Sequence, residues 1–335
     1  MQLAIVHVGA ARHNELLSRL PRHGEEDPTE PMTHGLLAQN TRFIGRESVL
    51  EDIHGWLDHS GETSSEKRRM QSCTIYGIGG IGKTETALEY TYKYRFYYTH
   101  IFWFRADSHS DLLDSFLKMV AALGLCKEDL SSEKMVSTGL KWLNNTTARY
   151  LLIYDNAEDM RTVRPFWPSG VFGTILVTSQ NPSLGDITSA MVELPPMTPD
   201  EGSQLIQSYL RRGKSEQAEA RALCEDLGGL PLAIAHFAGY VAKSQCSLKQ
   251  ILSALEDRLK SNKIWSSDSV ASRDLHARTL STVWDLAVHR LTPDSTELLH
   301  LLAFLSPDSI PDDMFIGPGS QKSEGWEYWD DHRYV

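Results

Sequence analysis

Gly77-Ile78-Gly79-Gly80-Ile81-Gly82-Lys83-Thr84 is the stretch whose reading decides the fold. It matches G-x-x-x-x-G-K-[ST], the phosphate-binding loop. Its glycines let the backbone curl so that successive N–H groups point at phosphate oxygens. The helix that follows presents its positive N-terminal end to the same oxygens. In such a loop Lys83 reaches the β- and γ-phosphates, and Thr84 places its hydroxyl on Mg²⁺. The context is right on both sides. Cys73-Thr74-Ile75-Tyr76 reads as a short buried strand, and a helix is expected from Lys83 through Ala87 and Leu88 to about Tyr94.

A phosphate loop needs a second element, an apolar strand that ends in a carboxylate near the metal. Leu151-Leu152-Ile153-Tyr154-Asp155 supplies it. Asp155 is the expected metal partner, acting through the water shell that Mg²⁺ retains. The next residue is Asn156, so a second acid for activating water is missing there; Glu158 and Asp159 lie nearby and read by default as surface acids. The strand Thr174–Thr178 ends at Ser179-Gln180. Ligands sit at the carboxyl ends of such strands, which makes Gln180 a candidate neutral hydrogen-bond donor to the γ-phosphate.

Outward from these motifs, strands and helices alternate. His100–Arg105 is expected to be a strand, with helices through Leu112–Leu123 and Val136–Leu143 and a further short strand at Met191–Leu194. This alternation predicts an α/β fold, a parallel sheet with helices on both faces. Upstream, Val49, Leu50, Ile53, Trp56 and Leu57 recur at helical spacing over 46–58. After Pro196 the strands stop, and helices are expected at 199–212, 215–227, 231–243, 247–259, 275–291 and 293–304. The expected division is an N-terminal arm (1–42), a nucleotide-binding α/β domain (43–196), a helical domain (197–262) and a C-terminal region (263–335).

Composition excludes several classes. The 335 residues carry 33 Lys+Arg against 44 Asp+Glu, a net −11. That balance gives no electrostatic footprint for nucleic acid. No apolar run approaches the roughly 18 residues of a membrane helix, and the N-terminus lacks the pattern of a signal peptide. Cys73, Cys126, Cys224 and Cys246 are widely spaced and form no CxxC pair. They read as reduced, packed thiols in a cytoplasmic protein.

The order of motifs resembles the NB-ARC nucleotide-binding module of STAND-class signalling ATPases, found in plant disease-resistance proteins, the apoptotic protease-activating factor and fungal NOD-like receptors. The resemblance runs from Phe43 to about Phe315. Phe43-Ile44-Gly45-Arg46-Glu47 is similar to the family's FxGRE motif, which places Phe43, Gly45 and Arg46 near the adenine and ribose. GIGGIGKT, with Glu85 following it, matches the family's phosphate loop. Phe102-Trp103-Phe104-Arg105 is similar to the aromatic second strand, LLIYDNAED to the Walker B segment, and ILVTSQN to the sensor strand. Gly229-Leu230-Pro231-Leu232-Ala233 resembles the GLPLA motif, whose proline packs on the adenine. From first principles the same segment is a helix boundary, with Gly228-Gly229 ending one helix and Pro231 starting the next.

The resemblance implies an ADP/ATP-binding, Mg²⁺-using switch that self-associates on activation, with at most slow hydrolysis by Lys83 and Asp155. The region 263–335 would be a partial winged-helix-like unit. Gln180 stands where the family usually has a γ-phosphate-sensing arginine, and the His-Asp motif that reads ADP is not found. No leucine-rich, WD40 or TPR repeats follow and no effector domain precedes, so the sensor and effector partners would lie outside this chain. The alternatives are a non-hydrolysing scaffold, a kinase or motor ATPase, and a DNA-binding STAND regulator. Asn156 and the GLPLA segment argue against the enzyme, and the acidic charge argues against the regulator.

Overall fold

A computed structural model describes residues 30–58, 70–126, 131–170, 173–210, 216–244, 247–250 and 292–303. Six parallel strands form one sheet: β1 (Met32–His34), β2 (Gln71–Tyr76), β3 (His100–Arg105), β4 (Tyr150–Asp155), β5 (Gly173–Ser179) and β6 (Ala190–Glu193), in the order β1-β3-β4-β5-β2-β6. Every pairing is parallel, with Cys73 opposite Leu176 and Ile153 opposite Leu176 on its other side. The strand bearing the phosphate loop (β2) and the strand bearing Asp155 (β4) are therefore separated by β5 alone. Parallel strands end at the same side of a sheet, so the residues after β2, β4 and β5 converge there.

The middles of β3, β4 and β5 are unbroken apolar runs because both faces are covered. Phe102, Phe104, Leu152, Tyr154, Ile175 and Val177 lie in one core cluster, packed with α3 (His109–Ala122) and α4 (Ser132–Asn145). Their neighbours Ile101, Trp103, Leu151, Ile153 and Leu176 point to the other face and are buried as well. Burying each such side chain contributes roughly 1.5–3 kcal/mol. Two buried tyrosines keep their hydroxyls bonded: Tyr154 donates to the Phe166 carbonyl at 2.8 Å and Tyr150 to the Leu143 carbonyl at 3.1 Å. Gly173 is required beside Tyr150, since a Cβ there would fall on the tyrosine ring.

On the β2 edge, α1 (Glu47–Leu57) packs against β2 and β6 through Leu50, Ile53 and Leu57. The helix after the phosphate loop, α2 (Lys83–Tyr94), ends where expected, and Tyr90 and Tyr94 face inward at i, i+4. α3 starts at Ser108, whose hydroxyl accepts from the Asp111 N–H at 3.1 Å. A single turn, α5 (Met160–Val163), follows β4. β1 was not apparent from the sequence pattern; Met32, Thr33 and His34 pair with His100, Ile101 and Phe102 at the sheet edge.

Among the described residues, β6 is followed by the helices α6 (Pro199–Leu210), α7 (Gln217–Asp226) and α8 (Pro231–Ser244). α6 packs on both others. Gly202 of α6 lies so near α7 that a Cβ there would strike the Cys224 thiol. Gly228 and Gly229 both take left-handed φ (64° and 63°) after α7, and the Gly229 N–H donates to the Cys224 carbonyl at 2.9 Å. Pro231 then opens α8. Residues 280–335 form a second compact unit, in which α9 (Pro293–Leu302) is capped by Thr292, its hydroxyl accepting from the Ser295 N–H at 3.2 Å. The expected helix at 275–291, nearly all of that at 247–259, and most of the winged-helix-like region lie outside the described residues. No helix among the described residues is long and apolar enough to cross a membrane.

Candidate functional site

The phosphate loop turns from β2 into α2 with Gly80 at φ 76° and Gly82 at φ 93°. A side chain is strained at both positions, so the sequence spends glycine there. Ile81 lies buried under the loop. The Lys83 amine folds back along the loop and donates to the carbonyls of Gly77 at 3.0 Å and Ile78 at 3.1 Å. Burial pushes the Lys83 ammonium below the usual lysine range, and the charges of Glu158 and then Asp155 pull it back up.

Thr84, Thr178 and Asp155 form one hydrogen-bonded set. The Thr84 hydroxyl donates to Asp155 Oδ1 at 2.8 Å and the Thr178 hydroxyl to the same oxygen at 2.6 Å. Thr178 in turn accepts from the Asn156 N–H at 2.9 Å. Burial raises the Asp155 carboxyl above the usual range, against the two hydroxyls that lower it. A carboxylate held this way, with a threonine hydroxyl beside it, is an oxygen donor set suited to a partly hydrated Mg²⁺. Among the described residues, no group of three or more His, Cys, Asp or Glu side chains is placed to hold a metal by itself.

The remaining expected residues divide into two groups. Gln180 is in the site: its side-chain oxygen lies 3.5 Å from the point where a Cβ on Gly79 would be. Pro231 is there too, its Cγ 3.7 Å from the equivalent point on Gly82, while the Leu232 N–H donates to the Gly80 carbonyl at 3.2 Å. Arg46 lies against the loop from behind. It is 6% exposed, has a left-handed φ of 67°, and its guanidinium donates to the carbonyls of Ile81 (3.3 Å) and Pro195. Its own N–H donates to Glu201 Oε1 at 3.3 Å, and Gly45 abuts the same carboxylate. Burial alone would raise the Glu201 carboxyl. Hydrogen bonds from Thr198 and Arg46 outweigh it and hold the group below the usual range.

Phe43 and Glu85 lie further out. The Phe43 N–H donates to the Asn40 carbonyl at 3.1 Å, and the Glu85 carboxylate accepts from the Asn40 amide at 2.9 Å. Sequence reasoning treated Glu158 and Asp159 alike, and the structure separates them. Glu158 Oε1 accepts from the Gln180 N–H at 2.8 Å, whereas Asp159 caps α5 and pairs with Arg161 at 2.7 Å.

A glycine-cradled loop, a lysine on it, and a threonine–aspartate pair at the ends of parallel strands define a P-loop NTPase domain. No family model matches the chain. It is 27% identical over 249 residues to a nucleotide-binding leucine-rich repeat (NLR)-like protein of Hyaloscypha variabilis, covering 67% of this chain and 25% of that protein. It is 25% identical over 222 residues to the probable disease resistance RPP8-like protein 2 of Arabidopsis thaliana, covering 62% and 24%. Among solved structures, a signal transduction ATPase with numerous domains (STAND) protein with a tetratricopeptide repeat sensor from Pyrococcus horikoshii aligns with a TM-score of 0.46 at 17% identity, over 84% of this chain and 37% of that one. Motif order and these curated relatives agree on a P-loop NTPase domain similar to the NB-ARC/STAND type. The chain spans about a quarter of the length of those two relatives.

Proposed function

We propose that the chain is a nucleotide-dependent signalling switch that binds ADP or ATP with Mg²⁺. The observation that carries this reading is the hydrogen bond from the Leu232 N–H to the Gly80 carbonyl. It ties the phosphate loop directly to the helix that opens at Pro231, so a change in the loop is felt in the helical segment. The Lys83 amine would exchange its two loop carbonyls for phosphate oxygens. Thr84 and Asp155 would hold Mg²⁺, which supplies charge neutralisation between the β- and γ-phosphates. Gly77, Gly79 and the loop N–H groups would cradle the phosphates, with Pro231 at the base. Gln180 would face the third phosphate.

In this reading residues 43–196 bind the nucleotide, 197–262 respond, and 263–335 would be a partial winged-helix-like region. ADP holds the segments closed. ATP reopens them for self-association, and a few kcal/mol of differential binding is enough for that shift. Hydrolysis is slow, since Asn156 and Gln180 stand where an acid and an arginine would help. The setting is cytoplasmic, in fungal-type immunity or cell-death control, with sensor and effector partners beyond this chain. A second reading, a nucleotide-stabilised scaffold without switching, is favoured by the neutral Gln180 alone.

The test is to denature the purified chain, then identify and count the released nucleotide. One ADP per chain supports the switch. No nucleotide, with no binding of added ADP or ATP, overturns it. A particle size that stays the same in ADP and in a non-hydrolysable ATP analogue favours the scaffold.

A further inference from the structure

We propose that Glu158 sets the preference of this site for a nucleoside diphosphate over a nucleoside triphosphate. The proposal rests on the nucleotide-switch reading and assigns its specificity to one side chain. Among the described residues, Asp107, Glu158, Asp159 and Glu193 also lie at strand ends near the phosphate loop, and all but Glu158 are engaged elsewhere, Glu193 by the Tyr76 hydroxyl at 3.0 Å. Asp159 is turned out to Arg161. Asp107, after β3, accepts from the Asn156 side-chain amide.

Glu158 is brought inward by the backbone. Asn156 takes a left-handed φ of 59°, and the Ala157 N–H donates to the Thr178 carbonyl at 2.9 Å, which carries the chain across the end of β5. The Glu158 side chain then meets the Gln180 N–H at 2.8 Å, with the Ser179 hydroxyl 3.4 Å from its other oxygen. Its main-chain carbonyl accepts from the Asn181 amide at 3.1 Å. The carboxylate is thus anchored on both sides and cannot swing away from the strand end.

That strand end is where the Gln180 side chain approaches Gly79 of the loop. A third phosphate brings further negative charge to this end of the loop. There it meets a fixed carboxylate, held by the Gln180 N–H, and a neutral amide at 180. A diphosphate stops one phosphate short and avoids both effects. Like charges held close in a partly screened site cost enough to decide between such ligands.

The experiment measures binding of ADP and of a non-hydrolysable ATP analogue, both with Mg²⁺, to the full chain and to its E158Q variant. Glutamine keeps a carbonyl oxygen for the Gln180 N–H and removes the charge. E158Q should bind the triphosphate analogue about tenfold more tightly and leave ADP affinity within about twofold. An E158D variant, which keeps the charge, should retain the preference for ADP. An E158A variant, which removes the charge together with the side chain, should shift the ratio in the same direction as E158Q. It serves in place of E158Q if that variant does not fold. Equal changes for both nucleotides, or a weaker triphosphate, overturn the assignment of Glu158 while leaving the switch standing. A wild-type chain that binds neither nucleotide overturns the switch itself.

Discussion

The Thr84 hydroxyl and Asp155 Oδ1 are 2.8 Å apart, although β2, which leads to Thr84, and β4, which ends in Asp155, are separated by β5. The contact joins the first turn of α2 to the end of β4. Its carboxylate is ionised at a cost: burial raises the Asp155 carboxyl, so the folded chain holds that proton to higher pH than the unfolded chain does. Stability from this group is therefore gained as pH falls through the raised value and is absent at neutral pH. Asp155→Asn removes the cost and keeps an oxygen for both threonines. It should melt a few degrees higher without nucleotide, about 1 kcal/mol, and lose the Mg²⁺-dependent part of nucleotide affinity. A lower melting temperature in EDTA would contradict this.

Lys83→Ala should separate binding from folding. The amine is buried against its preference and holds only loop carbonyls. Removing it should weaken ADP binding by about 10- to 100-fold, the loss of a charged hydrogen bond. The unfolding midpoint in urea should barely move.

Arg46→Met should act mainly on stability. It leaves the Ile81 and Pro195 carbonyls without their guanidinium donor and Glu201 without that neighbouring charge. A loss of about 3 kcal/mol is expected, read from denaturant unfolding of the nucleotide-free chain. Unchanged stability with weaker ADP binding would instead make Arg46 a nucleotide contact.

His54 should give the fold an acid limit. Its ring stacks on Tyr94 at 3.9 Å between centroids, meets Tyr97 edge-on, and lies 3.4 Å from the Tyr90 hydroxyl. Burial lowers its pKa, with Lys93 adding to the effect and Asp58 opposing it. The unfolded chain therefore binds the proton first. Stability from this group is complete above about pH 6.5 and is lost as pH falls below it. His54→Phe keeps the stacking, so its stability should fall less between pH 7.5 and 5.5 than that of the wild type.

Much of this was legible in the sequence for a physical reason. Strands covered on both faces have no polar positions to blur them, so His100–Arg105 and Tyr150–Asp155 stood out as unbroken apolar runs. Gly228-Gly229 before Pro231 announced a helix end and a helix start. β1 was hidden because Met32-Thr33-His34 is three residues long and has no apolar pattern. Glu158 and Asp159 were indistinguishable because their fates depend on the left-handed turn at Asn156, which adjacency in sequence does not reveal. The ligand role expected of Arg46 came from the FxGRE resemblance; its carbonyl partners, Ile81 and Pro195, were not legible because they are remote in the chain.

The position of β1 has one more consequence. The chain joins the sheet at one margin, through Met32–His34, and departs from the opposite margin, through Ala190–Glu193. Five inter-strand gaps of about 4.8 Å put inlet and outlet roughly 24 Å apart. The nucleotide loop issues from the strand next to the outlet. A tug on the inlet must cross three strands, β3, β4 and β5, to reach it, whereas the helical segment is in direct touch.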